Sequence, residues 1–201
     1  MHKEGTGSGD ISSAALIKKA DFNETVGMEG HFVAKCYDKD GNLKWEDEIN
    51  NLVMAIGKQL MLDTILAGSS FTATVVMGLV SGASAPTYAA ADTQSSHAGW
   101  LESGSTNAPT YSGTRKTPAF SAATSSGTTP SNVTTKTTSA AVSFTFTGSG
   151  TVAGCFININ GTSAIDNTTG TLYSAGSFTG GNKTVANTDV LNVTYSTTAT
   201  S

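Results

Sequence analysis

Three histidines, two cysteines and a few clustered carboxylates are the side chains of this 201-residue sequence best suited to chemistry. A catalytic triad needs a nucleophile, an imidazole and an orienting carboxylate within hydrogen-bond reach. His2, His31 and His97 share no motif that would assemble one. Ser and Thr exceed a quarter of the chain, so a hydroxyl near a histidine carries little information. Gly148-Ser149-Gly150 is too short for a nucleophile elbow, which joins a strand to a helix, and reads as a hairpin turn. Cys36 and Cys155 lie far apart and read as two buried apolar side chains rather than a bridge. Two cysteines and three scattered histidines do not readily supply a metal site. Asp38-x-Asp40-Gly41-Asn42 has the look of an opening calcium loop, but its glycine falls at the fourth position and Ile49 at the twelfth. Asp-Gly-Asn between alternating segments is a hairpin turn. His97, in the run from Asp92 to Trp100 and Glu102, reads as part of a packed loop, hydrogen-bonded to backbone. The expectation is a chain that is not an enzyme, with no catalytic, cofactor-binding or metal-ligating residues and no cofactor.

What remains is recognition. Glu46, Asp47 and Glu48 form the densest acidic run and are candidates for meeting a basic patch on a partner. Ile11, Leu16 and Ile17 are the apolar candidates, in a segment that follows a glycine-rich start and precedes Lys18-Lys19. Trp45, Tyr88, Trp100 and Tyr111 could anchor an interface, although core packing suits both tryptophans better. The net charge of -4 and the absence of a basic stripe argue against nucleic acid. No run approaches the roughly 20 apolar residues that span a membrane. The first ten residues have no apolar core of a secretory signal, so synthesis in a cytoplasm is expected. A glycan site would want exposed aromatics beside carboxylates, and the Ser/Thr-rich half has few of both.

The elements that must position these groups are mostly strands. Charge is uneven: residues 1–67 hold 18 of the 26 charged side chains. This boundary suggests a flexible arm over 1–20, a β-hairpin plus helix over 21–67, and a β-sandwich body over 68–201. In the hairpin, Phe32, Ala34 and Cys36 alternate with His31, Val33, Lys35 and Tyr37, as in a half-buried antiparallel pair. A helix is expected over 51–66, capped by Asn50 or Asn51, with Leu52, Val53, Ile56, Leu60 and Ile65 on a broad buried stripe. Ile56 and Leu60 are expected in the core. Val75 to Val80 reads as a central strand. Val142–Phe146, Thr151–Ile159, Leu172–Phe178, Thr184-Val185 and Val190–Tyr195 supply further strands. Ser121–Ser139 has almost no large apolar residues and reads as a long exposed loop, with any flanking strand on the edge. The fold expected is mainly β: a β-sandwich or Greek-key barrel with one N-terminal α-helix and an extended N-terminal arm.

Several stretches resemble a family of tailed-bacteriophage virion structural proteins. They are Asn51-Leu52-Val53 with Gly57-Lys58 and Leu62-Asp63, Met77-Gly78-Leu79, and Asp92-Thr93 with Ser96 through Trp100. Further along are Tyr111 through Lys116, Gly148 through Val152 with Cys155-Phe156, Gly170 through Ala175, and Asp189 through Tyr195. The resemblance runs over roughly residues 28–198. It implies a capsid decoration (cement) protein, with a head-fibre or tail component as the alternative. The implied partners are the major capsid protein or another virion protein, and copies of itself in a homo-oligomer, a trimer being one arrangement. The implied location is the virion, assembled in the host cytoplasm. The resemblance carries over no catalytic residues.

Overall fold

The structure, a computed structural model, describes residues 26–66, 73–128 and 131–200. The expected arm, with Ile11, Leu16 and Ile17, lies outside the described residues. Among the described residues ten strands and one helix follow in chain order: β1 (Gly27–Tyr37), β2 (Leu43–Val53), α1 (Ala55–Leu66), β3 (Val75–Ser81), β4 (Thr124–Thr128) and β5 (Ser131–Thr137) come first. After them come β6 (Val142–Thr145), β7 (Gly150–Ile159), β8 (Thr171–Ser177), β9 (Lys183–Val185) and β10 (Val190–Thr200). The mainly β expectation holds.

The strands form one antiparallel sheet in the order β3-β7-β8-β2-β1-β10-β5-β4, with β6 added to β10 and β9 to β7. The end strands β3 and β4 do not pair, so the sheet is not a closed barrel. Its two halves instead share one core. Phe32, Cys36, Ile49, Phe144, Leu191 and Val193 of one half pack with Met77, Leu79, Val152, Cys155, Ile157 and Val185 of the other. Side chains of β8 and β10, which are not neighbours in the sheet, touch across this core: Ser174 Oγ lies 3.2 Å from the Tyr195 hydroxyl. β2 joins the halves. It runs beside β1 from Leu43 to Asn51 and then pairs Leu52 and Val53 with Ala175 and Ser174 of β8.

The β1–β2 hairpin closes as its sequence dictates. Asp38 Oδ1 accepts the backbone N–H groups of Asp40 and Asn42 at 2.9 and 2.8 Å. These bonds, led by that of the Asn42 side chain, hold its carboxyl below the usual range. Gly41 sits at φ +83°, where a side chain would be strained.

Four expectations are corrected. Residues 51–53 are not helical. Asn51 and Val53 continue the inward alternation of β2, and α1 begins only at Ala55. Nor is α1 buried on several sides. Gly57 is its only buried residue, while Ile56 and Leu60 are half-covered rather than core. Gly57 makes the contact close, since an added Cβ there would lie 2.9 Å from the Tyr173 carbonyl oxygen. β3 is terminal rather than central. It still reads as a continuous apolar run because both its faces are covered, and backbone bridges from Lys116 and Glu102 occupy its free edge. Finally, 121–139 is largely strand. Thr and Ser residues supply much of β4 and β5 at the sheet margin, where Thr124 to Gly127 are exposed and Thr134 and Thr135 only half-buried, so few apolar residues are needed. Hydroxyl pairs such as Ser125–Thr134 at 2.8 Å tie these strands together.

One turn also changes meaning. Gly148-Ser149 links β6, paired to β10, with β7 in the other half, so it crosses between halves instead of closing a hairpin.

Candidate functional site

The acidic run divides by strand alternation. Glu46 and Glu48 lie on the outer face of β2, and Asp47 turns inward. Lys35, directly across from Glu46, bonds it at 2.9 Å, and His31 meets Glu48 at 3.3 Å. The Glu46 bond raises the Lys35 pKa. Asp47 is committed within the fold. It accepts from Lys183 Nζ at 2.6 Å, Thr179 Oγ1 at 2.7 Å and the Gly180 N–H at 3.0 Å. Burial opposes ionisation of Asp47, but Lys183, Thr179 and the Glu48 N–H outweigh it and pull the carboxyl down to about 2. Thus Glu46 and Glu48 remain on the surface, each beside a basic group, while Asp47 clamps the β8–β9 loop to β2.

A group of exposed apolar side chains lies on α1. Leu62, Ile65 and Leu66 are 60, 71 and 80% exposed. Apolar residues surround this helix, a pattern suited to burial on more than one side, yet only its Ile56, Gly57 and Met61 side packs on the sheet. Ile65 lies one turn beyond Met61, on the same side of the helix. Met61 in turn lines an apolar pocket of about 240 Å³ at the mouth between the sheet halves, with Val75, Phe120, Ile157, Tyr173 and Tyr195. The Tyr173 hydroxyl reaches Thr197 Oγ1 at 3.0 Å.

Loops gather at another face. Trp100 is buried beneath His97, whose ring stacks on the indole at 3.8 Å. His97 Nδ1 is 3.1 Å from the Trp100 carbonyl oxygen, the backbone bond expected of a packed loop. Below them Arg115 donates to both Glu102 oxygens at 2.7 and 2.6 Å and to the Asn167 carbonyl at 2.8 Å. Glu102 also accepts the Asp166 N–H at 2.9 Å. This ion pair ties the 102–115 segment to the 160–169 loop. Sequence reasoning missed it, since nothing in the spacing of Glu102 and Arg115 singles them out from the other charges after residue 67. The scarcity of charge was the available signal: with so few charged side chains in this half, each has few partners to choose from.

The thiols are inert by placement. Cys36 and Cys155 are free and buried, and burial pushes the Cys36 thiol up to about 12. Burial likewise raises the Tyr111 and Tyr195 hydroxyls. Both tryptophans pack inward: Trp100 is buried, and Trp45 sets its edge against Phe178 at 5.5 Å. Among the described residues no group of three or more His, Cys, Asp or Glu side chains could hold a metal ion. No described helix is long and apolar enough to cross a membrane. Comparison of the chain with protein-family models, curated proteins and solved structures finds no match.

Proposed function

We propose that this chain is a non-enzymatic bacteriophage virion structural protein, a capsid decoration protein that binds the major capsid protein and stabilises the head. The observation that carries the reading is the exposed C-terminal end of α1. Three large apolar residues stand in solvent on a helix whose composition suits burial on both sides, and Met61 of the same helix lines an apolar pocket at the mouth of the sheet. Contiguous exposed apolar surface of this kind marks a protein–protein contact. The likeness of the chain's motifs to tailed-phage virion proteins supplies the class of partner. Ser- and Thr-rich strands at the sheet margin have little charge to desolvate when subunits pack together, which suits a homo-oligomer.

A cement protein stabilises a shell by mass action, because it binds the assembled form and not the dissociated one. Particles lacking it should rupture at lower temperature, and purified protein should restore them saturably. A Leu62→Asp/Ile65→Asp variant should remain folded, since both side chains are exposed, and should fail to restore them. Restoration by the variant equal to that by wild type removes α1 from the contact. Bare particles as robust as complete ones but unable to adsorb to cells replace this reading with a head-fibre or tail component.

A further inference from the structure

We propose that the pocket beneath the 92–102 and 160–169 loops binds a single neutral sugar ring, free or at the end of a glycan. The inference stands independently of the capsid reading. The pocket has a volume of about 190 Å³. That is below the range of roughly 300 Å³ and upward that holds a drug-sized molecule, so its occupant is small.

The wall is polar and rich in acceptors. Thr106 bonds only one oxygen of Asp166, through its hydroxyl at 2.9 Å and its N–H at 3.4 Å. Among the described residues the other oxygen, Oδ1, has no partner. Asn107 spends its amide N–H on the Glu102 carbonyl at 3.0 Å and keeps Oδ1 unused. In a neutral His97 the Trp100 carbonyl fixes the proton on Nδ1, which leaves Nε2 as an acceptor. Gln94, 2% exposed in the wall, gives its N–H to the Asn167 carbonyl at 3.3 Å, and its Oε1 is buried without a partner. A buried orphan acceptor is uncommon enough to call for an explanation. Gln94 Oε1 lies behind the wall, and Asp166 Oδ1, Asn107 Oδ1 and His97 Nε2 are the three acceptors left around one small cavity, which call for a ligand that presents several donors. Ring hydroxyls do so, and each can also accept from Asn167 Nδ2 or the Thr168 hydroxyl. Leu101, 42% exposed, gives one apolar side for the C–H face of a ring.

The site is also stiff. Glu102 is held by Arg115, so its charge is neutralised, and its Asp166 bond fixes the loop that carries the exposed acceptor. Asp166 holds φ +60°, a conformation that few residues other than Gly, Asn and Asp adopt readily. A wall fixed in advance lowers the ordering cost of a small ligand.

The test is an NMR titration of the purified full chain with glucose, galactose, mannose and N-acetylglucosamine, followed by backbone amide shifts. At least one sugar should bind saturably with Kd of order 1 mM, with shifts clustered over residues 94–107 and 166–168. Asp166→Asn suits the same φ, keeps the Thr106 contact available and should leave the thermal midpoint unchanged. Loss of a hydrogen bond to a charged acceptor should weaken that sugar roughly 10-fold or more. Asn107→Ala should weaken it as well, and Glu46→Gln, on the outer face of β2, should leave it unchanged. No saturable binding by any of the four up to about 100 mM, a limit two orders above the expected Kd, overturns the proposal. So do shifts centred elsewhere, or affinity that Asp166→Asn leaves intact.

Discussion

Replacing Glu102 by Ala would leave the guanidinium of Arg115 buried with no counter-charge. Arg115 is 0% and Glu102 4% exposed in their side chains, so water cannot take over the lost partner. Breaking a buried ion pair from one side costs about 3–5 kcal/mol. Arg115 keeps the Asn167 carbonyl at 2.8 Å and a longer contact to the Thr162 carbonyl at 3.4 Å, which places the cost near the lower end. Loss of the acceptor for the Asp166 N–H at 2.9 Å adds about 1 kcal/mol. The sum is about 4 kcal/mol, or roughly 8–16 °C in Tm for a chain of this size. Removing both charges behaves differently. In Glu102→Leu/Arg115→Met no charge is left unpaired, and the methionine can pack on the Phe156 ring, 5.4 Å from the present guanidinium. The double variant should therefore lose only about 0–2 kcal/mol, less than either single change. Urea unfolding of wild type, Glu102→Leu, Arg115→Met and the double, with an unchanged m-value, measures the cycle, and Glu102→Ala is measured beside it. A Glu102→Ala cost below about 1 kcal/mol, or a double variant equal to the sum of the singles, would refute the claim that this pair is dry and coupled.

Three further outcomes are expected. Gly57→Ala gains about 1 kcal/mol of helix propensity, but its methyl would lie 2.9 Å from the Tyr173 carbonyl oxygen. It should destabilise in a thermal melt, and a stabilised variant would show that α1 is not seated on β8. Asp47, with its carboxyl down at about 2, lies below the unfolded value near 3.9. Its contribution is therefore present above pH 4 and lost as pH falls towards 2, roughly 1–2 kcal/mol after allowance for solvent at Lys183; Asp47→Asn should flatten stability over that window in acid-titrated urea melts. Cys36 and Cys155 should react with a thiol reagent at pH 8 only as fast as the chain unfolds, and rapid labelling of native protein would mean that the core is open.

Residues with local consequences were readable in the sequence. Alternation placed Phe32, Ala34 and Cys36 inward, and Asp38 through Asn42 specified a turn through bonds that close within five residues. The period-2 pattern also found β6 and β10, which bury one row of side chains, while β7 and β8 were found as short runs bounded by turns and bury both rows. Pairing was not readable, since alternation names a buried face and not the strand across the sheet. Hence β3 looked central, and Gly148-Ser149 looked like a hairpin. The 51–66 segment shows the same limit in another form. Its apolar residues fit a helix from Asn51, but register with β8 holds Leu52 and Val53 as strand, and only Gly57 lets the remainder approach Tyr173. The loop pocket lies furthest from the sequence. Gln94, His97, Asn107 and Asp166 span more than seventy positions and form one wall only because Arg115 and Glu102 pair beneath it. Contacts within a few residues are decided by backbone geometry and propensity, whereas contacts across the chain depend on which buried groups find partners once the sheet has folded onto itself.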